Sequence, residues 1–111
     1  MAGMIDQPPQ NNPILTRFRV ALAEVYGDRL ERVVLFGSRA RGEAREDSDY
    51  DVAVFLKDLT DRWQEIDHIV PVVTDIIDDT GAVIRAMPYR AEAYQDRTSL
   101  MREIRREGVD L

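Results

Sequence analysis

Apolar residues recur along the chain with two spacings, one typical of helices and one typical of strands. Residues 13–26 carry apolar side chains three and four positions apart, which predicts an amphipathic helix that ends at Gly27. A shorter run at 31–36 is rich in β-branched and aromatic residues, and it predicts a buried strand that ends at Gly37. Residues 51–56 have the same character and predict a second strand.

The longest helical pattern covers residues 60–79, and Gly81 is expected to end it. Pro71 lies inside this pattern and is expected to kink or break the helix, because proline lacks an N–H group and clashes with the preceding turn. Two lines of apolar side chains form a broad stripe, which would suit a homodimer or a partner interface. The first line is Trp63, Ile66, Val70, Val73 and Ile77, and the second is Ile69, Val72 and Ile76.

The remaining segments complete an α/β (α+β) pattern. Residues 38–41 predict a short helix that Gly42 ends, the polar run 43–48 predicts a loop, and 82–87 predict a third strand that Pro88 follows. Thr98 or Ser99 could cap a last helix that runs to Glu107 and precedes Gly108. We therefore expect a small mixed β-sheet of about three strands packed with helices.

Composition indicates one small domain. The chain has 111 residues, of which 1–12 predict a flexible polar tail and 13–111 a single domain. Cysteine is absent, which excludes disulfides and thiolate zinc sites. No apolar run approaches the roughly 20 residues that a membrane span needs, so we expect no membrane association and a cytoplasmic location. The net charge of −6 argues against general DNA binding, which depends on basic side chains.

The chemistry of the chain is concentrated between residues 37 and 51. Gly37 and Ser38 follow the first strand, and this turn offers unobstructed backbone N–H groups and a hydroxyl for a phosphate. Asp49 and Asp51 open the second strand, and residues two apart on a strand point to the same face. Two adjacent carboxylates suit a hard cation such as Mg²⁺. A phosphate turn beside a metal pair indicates a nucleotide-handling site.

The segment GSRARGEAREDSDYD also resembles the core motif of the polymerase-beta-like nucleotidyltransferase superfamily. It looks most like the minimal nucleotidyltransferases, small proteins often encoded beside a HEPN-domain partner. The resemblance implies the nucleotidyltransferase fold, a nucleoside triphosphate bound at Gly37 and Ser38, and two Mg²⁺ ions on three carboxylates. Asp49 and Asp51 match the first two metal ligands, and these are the predicted catalytic residues.

Three further residues are predicted to bind the nucleotide. Arg39 and Arg41 could neutralise phosphate charge, although Arg41 could instead cap the short helix or pair with Glu43 or Asp47. Ser48 could brace the loop that carries Asp49, and a simple turn role explains it equally well.

The third carboxylate is missing from the place where the family usually supplies it. The strand predicted at 82–87 contains no acid and carries Arg85 instead. Asp75, Asp78 and Asp79 precede that strand, but the end of a helix more often places acids in solvent. Either two protein carboxylates suffice, or a partner supplies a ligand, or the chain binds nucleotide without efficient turnover.

Other polar and aromatic residues have simpler interpretations. His68 is expected to be an ordinary exposed or hydrogen-bonded residue, and Trp63 to lie in the core or an interface. Tyr50 should point to the sheet face opposite the aspartates and serve packing. Tyr89 and Tyr94 could lie near a nucleotide base.

The resemblance implies an enzyme that moves a nucleoside monophosphate, AMP from ATP in the first instance, to a hydroxyl of a protein or RNA acceptor. No residue pattern in the sequence selects ATP over other triphosphates. The minimal nucleotidyltransferases often act as antitoxins to HEPN-type toxins, so a HEPN-domain protein is the expected partner. The alternative is a non-catalytic antitoxin that sequesters its partner on the same fold.

Overall fold

Helices and strands alternate along most of the chain in the computed structural model, which describes residues 11–45 and 47–111. The elements are α1 Pro13–Tyr26, β1 Leu30–Phe36, α2 Ser38–Arg41, β2 Tyr50–Leu56, α3 Arg62–Thr80, β3 Ile84–Arg90, α4 Ser99–Glu107 and β4 Val109–Asp110. Short 3₁₀ turns at Gly27–Arg29 and Ala91–Gln95 join them. Residues 1–10 of the predicted tail lie outside the described residues.

The strands form one mixed sheet in the order β3-β2-β1-β4. β1 pairs antiparallel with both β2 and β4, whereas β2 and β3 run parallel. Asp51 lies opposite Phe36 on one side and opposite Arg85 on the other. The register therefore places an arginine directly beside the second predicted metal ligand.

The two faces of the sheet are covered differently. Even-numbered residues of β2, such as Val52 and Val54, pack in a buried cluster with residues of α1 and α3. The odd-numbered Phe55 packs in a second, smaller cluster with Met101 and Ile104 of α4. Since side chains alternate along a strand, Asp51 lies on the same face as Phe55, the less covered face of the sheet.

α3 differs from its prediction in two respects. The helix runs from Arg62 to Thr80 without a break at Pro71, so the predicted break is wrong. Ile69 and Ile76 of the second apolar line are buried, whereas Trp63 and Val70 of the first line are 78% and 51% exposed. The helix packs on the sheet through the narrower line, and much of the predicted stripe faces solvent.

The third strand also departs from its prediction, since it is assigned as Ile84–Arg90 and includes Pro88. The N–H of Tyr50 donates to the Val83 carbonyl, so Val83 faces β2, and backbone direction alternates from residue to residue. The nitrogen of Pro88 therefore faces away from β2, where no ladder bond is lost. β4, which the sequence pattern did not predict, adds a fourth strand of two residues.

The helix ends follow from capping residues. Asn12 Oδ1 accepts hydrogen bonds from the N–H groups of Ile14 and Leu15 at the start of α1. Thr98 caps α4 through its hydroxyl, which accepts from the Met101 N–H. Gly27 and Gly81 end α1 and α3 at positive φ, as predicted. Within the described ranges, no helix combines the length and apolar character required to cross a bilayer.

Candidate active site

Gly37 sits where β1 ends, and its backbone approaches Asp51 closely. Its φ of 78° and ψ of −156° lie in a region that essentially only glycine adopts. A Cβ atom built at this position would lie 2.6 Å from Asp51 Oδ2. The absence of a side chain at Gly37 therefore gives the Asp51 carboxylate its space beside the turn.

The turn after Gly37 is a single helical turn with ordinary backbone bonding. The N–H groups of Ala40 and Arg41 donate to the Gly37 carbonyl, and the N–H of Glu43 donates to the Ser38 carbonyl. Gly42 ends the turn in the left-handed conformation, as predicted. Gly37 and Ser38 thus form a hydrogen-bonded corner next to Asp51.

Asp49 and Asp51 are brought together by the strand, and one guanidinium contacts both of them. Arg85 Nε donates to Asp51 Oδ1 at 2.9 Å, and Arg85 Nη2 lies 2.9 Å from the same oxygen. The same Nε lies 3.6 Å from Asp49 Oδ2. Two carboxylates that converge on one cation form the donor set that a hard divalent ion requires, so the chemistry of these residues fits Mg²⁺.

Arg39 holds the loop that leads to the aspartates. Its Nε donates to the Ser48 carbonyl at 2.8 Å, and its Nη2 donates to the Arg45 carbonyl at 3.2 Å. Its guanidinium also stacks on the Tyr50 ring, 3.9 Å from the ring centre. The Ser48 hydroxyl accepts a hydrogen bond from the Arg45 N–H, a turn role that was one of its two predicted roles.

Arg41 is directed towards the C-terminal half of α4. Its guanidinium lies 2.9 Å from Glu43, 3.7 Å from Glu103 and 3.4 Å from Glu107. The hydrogen bond that Arg41 donates to Glu43 and the charge of Glu43, followed by the bond to Glu107 and its charge, raise the pKa of Arg41. The pairing with Glu43 is one of the alternatives that the sequence predicted, and nucleotide binding by Arg39 and Arg41 stays a prediction.

The predicted nucleotide-binding residues divide into two groups. Gly37 and Ser38 adjoin the aspartates, whereas Arg39 and Ser48 line a separate cleft of about 220 Å³. That cleft lies between the loop and the segment after α3, and sequence reasoning did not predict it. Its lining consists of Ile14, Arg39, Asp47, Ser48, Tyr50, Thr80, Gly81, Ala82 and Val83.

No third protein ligand joins the two aspartates in the part of the chain that the structure describes, where no group of three metal-ligating side chains occurs. Asp79 at the end of α3 instead pairs with Arg17 of α1 at 2.8 Å. Asp75 and Asp78 are exposed on α3, which packs on the other face of the sheet. This result agrees with the sequence-based concern about the third carboxylate.

The aromatic residues near the third strand serve packing. Phe55 contacts Tyr89 and Tyr94, with ring centres 5.7 Å and 5.4 Å apart. Arg62 and Arg32 stack on the two tyrosine rings. Tyr50 is buried on the opposite face, as predicted, and its hydroxyl accepts a hydrogen bond from the Asn12 side-chain amide at 3.1 Å.

A buried acid far from this site was missed by sequence reasoning. Glu65 of α3 is 5% exposed, pairs with Arg29 at 2.7 Å and lies 3.2 Å from His68 Nδ1. Burial alone would raise the pKa of Glu65, but the hydrogen bonds from Arg29 and His68 outweigh it and lower that pKa. His68 is therefore an ordinary hydrogen-bonded residue, as predicted.

Comparison with known proteins assigns the fold and the motif to a family. The model of the family described as polymerase beta, nucleotidyltransferase, matches residues 21–110. The chain belongs to this family. A relative of this nucleotidyltransferase is a "putative protein adenylyltransferase" of Methanocaldococcus jannaschii. It is 29% identical over 98 residues, which cover 88% of this chain and 95% of the relative.

Solved structures agree with this assignment. A "putative minimal nucleotidyltransferase" is 27% identical to this nucleotidyltransferase, with a TM-score of 0.54, over 86% of this chain and 90% of that one. A toxin–antitoxin crystal structure with AMP-PNP has a TM-score of 0.56 at 20% identity, over 84% of this chain and 68% of the other. A complex of a tri-AMPylated Shewanella oneidensis HEPN toxin with MNT antitoxin has a TM-score of 0.53 at 17% identity, over 86% of this chain and 66% of the other. The last two likenesses establish the fold alone.

Proposed function

We propose that this nucleotidyltransferase moves AMP from ATP to a hydroxyl group of a HEPN-type protein partner and thereby acts as an antitoxin. The observation that carries the proposal is the convergence of Asp49 and Asp51 beside the Gly37 corner. The two carboxylates lie 3.6 Å and 2.9 Å from the same group, the Arg85 guanidinium. The relative named as a protein adenylyltransferase and the fold shared with an MNT antitoxin support AMP as the group and a HEPN protein as the acceptor.

The proposed transfer is a displacement at the α-phosphorus of ATP. The acceptor oxygen bonds to that phosphorus, the bond to the bridging oxygen breaks, pyrophosphate leaves, and the hydroxyl proton is released to solvent. Asp49 and Asp51 would hold the Mg²⁺, with two ions expected from the family resemblance. Mg²⁺ bound there would polarise the phosphoryl oxygens and stabilise the attacking and leaving oxygens.

The chain's own residues would position the substrate and the two carboxylates. The corner at Gly37 and Ser38 would receive a phosphate group beside the two carboxylates, and the absence of a side chain at Gly37 leaves Asp51 its place there. Arg39 keeps the loop before Asp49 in place through the carbonyls of Arg45 and Ser48. Arg41 ties α2 to α4 and so supports the corner from the other side.

The test is transfer of label from α-labelled ATP with Mg²⁺ to the co-purified product of the neighbouring gene. We expect labelling by the wild type, and a loss of about 100-fold or more in the Asp49→Asn, Asp51→Asn double variant, since preorganised charge at the phosphates is removed. The matched control is Asp75→Asn, Asp78→Asn, which removes two exposed carboxylates from the other side of the sheet. Equal labelling by both double variants would contradict the assigned site.

A second candidate function is a binding antitoxin without turnover. The observation that favours it is the pairing of Arg85 with both aspartates, which neutralises the carboxylates that a metal would use. In that case the partner would take no label, and the wild type and the Asp49→Asn, Asp51→Asn variant would bind and inhibit it equally.

A further inference from the structure

Arg85 occupies the position at which a cation would meet the Asp49 and Asp51 carboxylates. Its backbone lies opposite Asp51 in the parallel β2–β3 register, and its guanidinium contacts both acids. The contacts to Asp51 are short, and both use Oδ1. Oδ2 of the same carboxylate is the atom that faces Gly37.

The Arg85 side chain can also move away from the two carboxylates at a small cost in free energy. Its side chain is 64% exposed, compared with 39% for Asp49 and 22% for Asp51. Ion pairs with an exposed partner contribute little to stability, because water screens the charges and the long side chain loses freedom. The Arg85 guanidinium therefore neutralises the two acids but does not prevent another cation from reaching them.

We propose that Arg85 is a resident counter-cation that a divalent metal ion must displace from Asp49 and Asp51, so that Arg85 weakens the metal affinity of the site. The inference rests on the proposed function only for the assignment of the metal site. It adds that the residue in place of the third carboxylate competes with the metal. The strand register makes the competition local to residue 85, because no other described basic side chain forms an ion pair with either aspartate.

Titration with Mn²⁺ alone tests the inference, by calorimetry or by the electron paramagnetic resonance signal of free Mn²⁺, without nucleotide or acceptor. We expect Arg85→Ala to bind Mn²⁺ about tenfold more tightly than the wild type, since a competing unit charge within 4 Å of the ligands is removed. Adding Asp49→Asn and Asp51→Asn to Arg85→Ala should abolish the gain, which locates the bound ion.

The matched control is Arg90→Ala, which removes an exposed arginine from the same strand. Arg90 lies five residues further along β3, about 17 Å away at the rise of a strand, which exceeds the Debye length in physiological salt. We expect its Mn²⁺ affinity to stay within about twofold of the wild type. Arg85→Gln, which keeps most of the side chain's volume, should show the gain even where Arg85→Ala lowers the stability of the fold.

The outcomes separate this inference from the proposed function. Unchanged or weaker Mn²⁺ binding in both Arg85→Ala and Arg85→Gln would overturn it, as would an equal gain in Arg90→Ala, even if the wild type labels its partner. Tighter binding confined to the residue 85 variants would support it, even if no form of the protein transfers label.

Discussion

Gly37 links the backbone of β1 to the chemistry of β2 at the scale of one residue. Its conformation is accessible to glycine almost alone, and its missing side chain leaves the space that Asp51 Oδ2 fills. One position thus meets two requirements, a corner in the chain and an approach to a carboxylate. The glycine of the motif can therefore be explained from geometry without reference to a bound phosphate.

Replacing Gly37 with alanine should damage both stability and the site. We expect the free energy of unfolding to fall by about 1–3 kcal/mol, because an L-residue is strained in this backbone region. We also expect label transfer to fall, because the new Cβ must move the Asp51 carboxylate. Chemical denaturation and the labelling assay measure the two effects separately.

Gly27→Ala is the control for that variant. Gly27 has a φ of 54° and a ψ of −127°, near the values at Gly37, but a Cβ there would meet no atom within 4 Å. It should lower stability by about 1–3 kcal/mol and leave label transfer unchanged. Full activity in Gly37→Ala would show that Asp51 tolerates displacement and is not placed by this glycine.

Glu65 is a second residue whose surroundings matter, because they determine its pKa and its contribution to stability. Its folded pKa is lowered from the ordinary value of 4.5, so its ion pair contributes stability that is fully present above that pH. As the pH falls below about 4.5 and through the folded pKa, the carboxylate takes up a proton and this contribution is lost. Neutralising the side chain should remove this contribution at neutral pH, where it is fully present.

The expected result for Glu65→Gln is a loss of about 1–3 kcal/mol at pH 7, because Arg29 loses a charged hydrogen-bond partner. The loss should shrink as the pH falls below 4.5 towards the folded pKa of Glu65. Urea denaturation from pH 3 to pH 7 measures it, with the exposed Glu24→Gln as control. A loss that is independent of pH would show that shape rather than charge determines the contribution of Glu65.

α3 shows at the scale of an element how packing overrides a local signal. Proline in a helix interior removes one backbone hydrogen bond and crowds the preceding turn. The helix nevertheless continues through Pro71, which is exposed, while Ile69 and Ile76 hold it against the sheet. The burial of those side chains on both sides of the proline offsets the lost bond.

Pro71→Ala should therefore stabilise the protein. We expect a gain of about 1–3 kcal/mol in the free energy of unfolding, since alanine restores the backbone bond at an exposed position. Thr74→Ala, another exposed change in the same helix, should alter stability by less than about 1 kcal/mol. A destabilised Pro71→Ala variant would show that the proline sets a bend that the packing needs.

The sequence predicted elements well where local chemistry determines them. The predicted glycine ends of α1 and α3 are found at Gly27 and Gly81, and Thr98 is the cap of α4. Prediction from the sequence failed where long-range packing determines the structure, since periodicity does not show which of the two apolar lines on α3 packs on the sheet. The pairing of Arg41 with α4 and the burial of Glu65 could not be predicted from the hydrophobic pattern either, because both depend on partners distant in sequence.

The candidate site shows the same division. Strand alternation was enough to predict that Asp49 and Asp51 lie together and that Tyr50 points the other way. The spacing of the motif did not predict that Arg85 would contact both acids, because that contact depends on the β2–β3 register. The sequence signal was present only as an arginine where an acid was expected.

Exposed apolar side chains on the outer helices characterise the molecule as a whole. Trp63 is 78% exposed, and Val20, Val70 and Ile77 are also accessible. Trp63 is the single tryptophan of the chain, so its fluorescence reports on this surface alone. The homodimer or partner interface expected for α3 stays a prediction that this residue can test.

The dilute protein should show tryptophan emission typical of an indole in water, and iodide should quench it readily. Adding the partner in excess should shift the emission to shorter wavelength if the partner covers this end of α3. The control is Trp63→Phe with a tryptophan introduced at Tyr94, which packs on Phe55 and should emit at shorter wavelength throughout. Shielded emission that varies with protein concentration would instead identify a second copy of the chain on this face.

Pro88 has a consequence for how other chains meet this protein. Its nitrogen faces away from β2 and the residue is buried, so a strand that approached this edge of β3 would lack one donor and would find the position already covered. The opposite edge is the two-residue β4, which offers little backbone for a continued ladder. Recognition by β-strand addition is thus disfavoured at both ends of the sheet. We therefore expect partners to contact side chains on the faces of the molecule, and we expect copies of the chain not to stack into extended sheets.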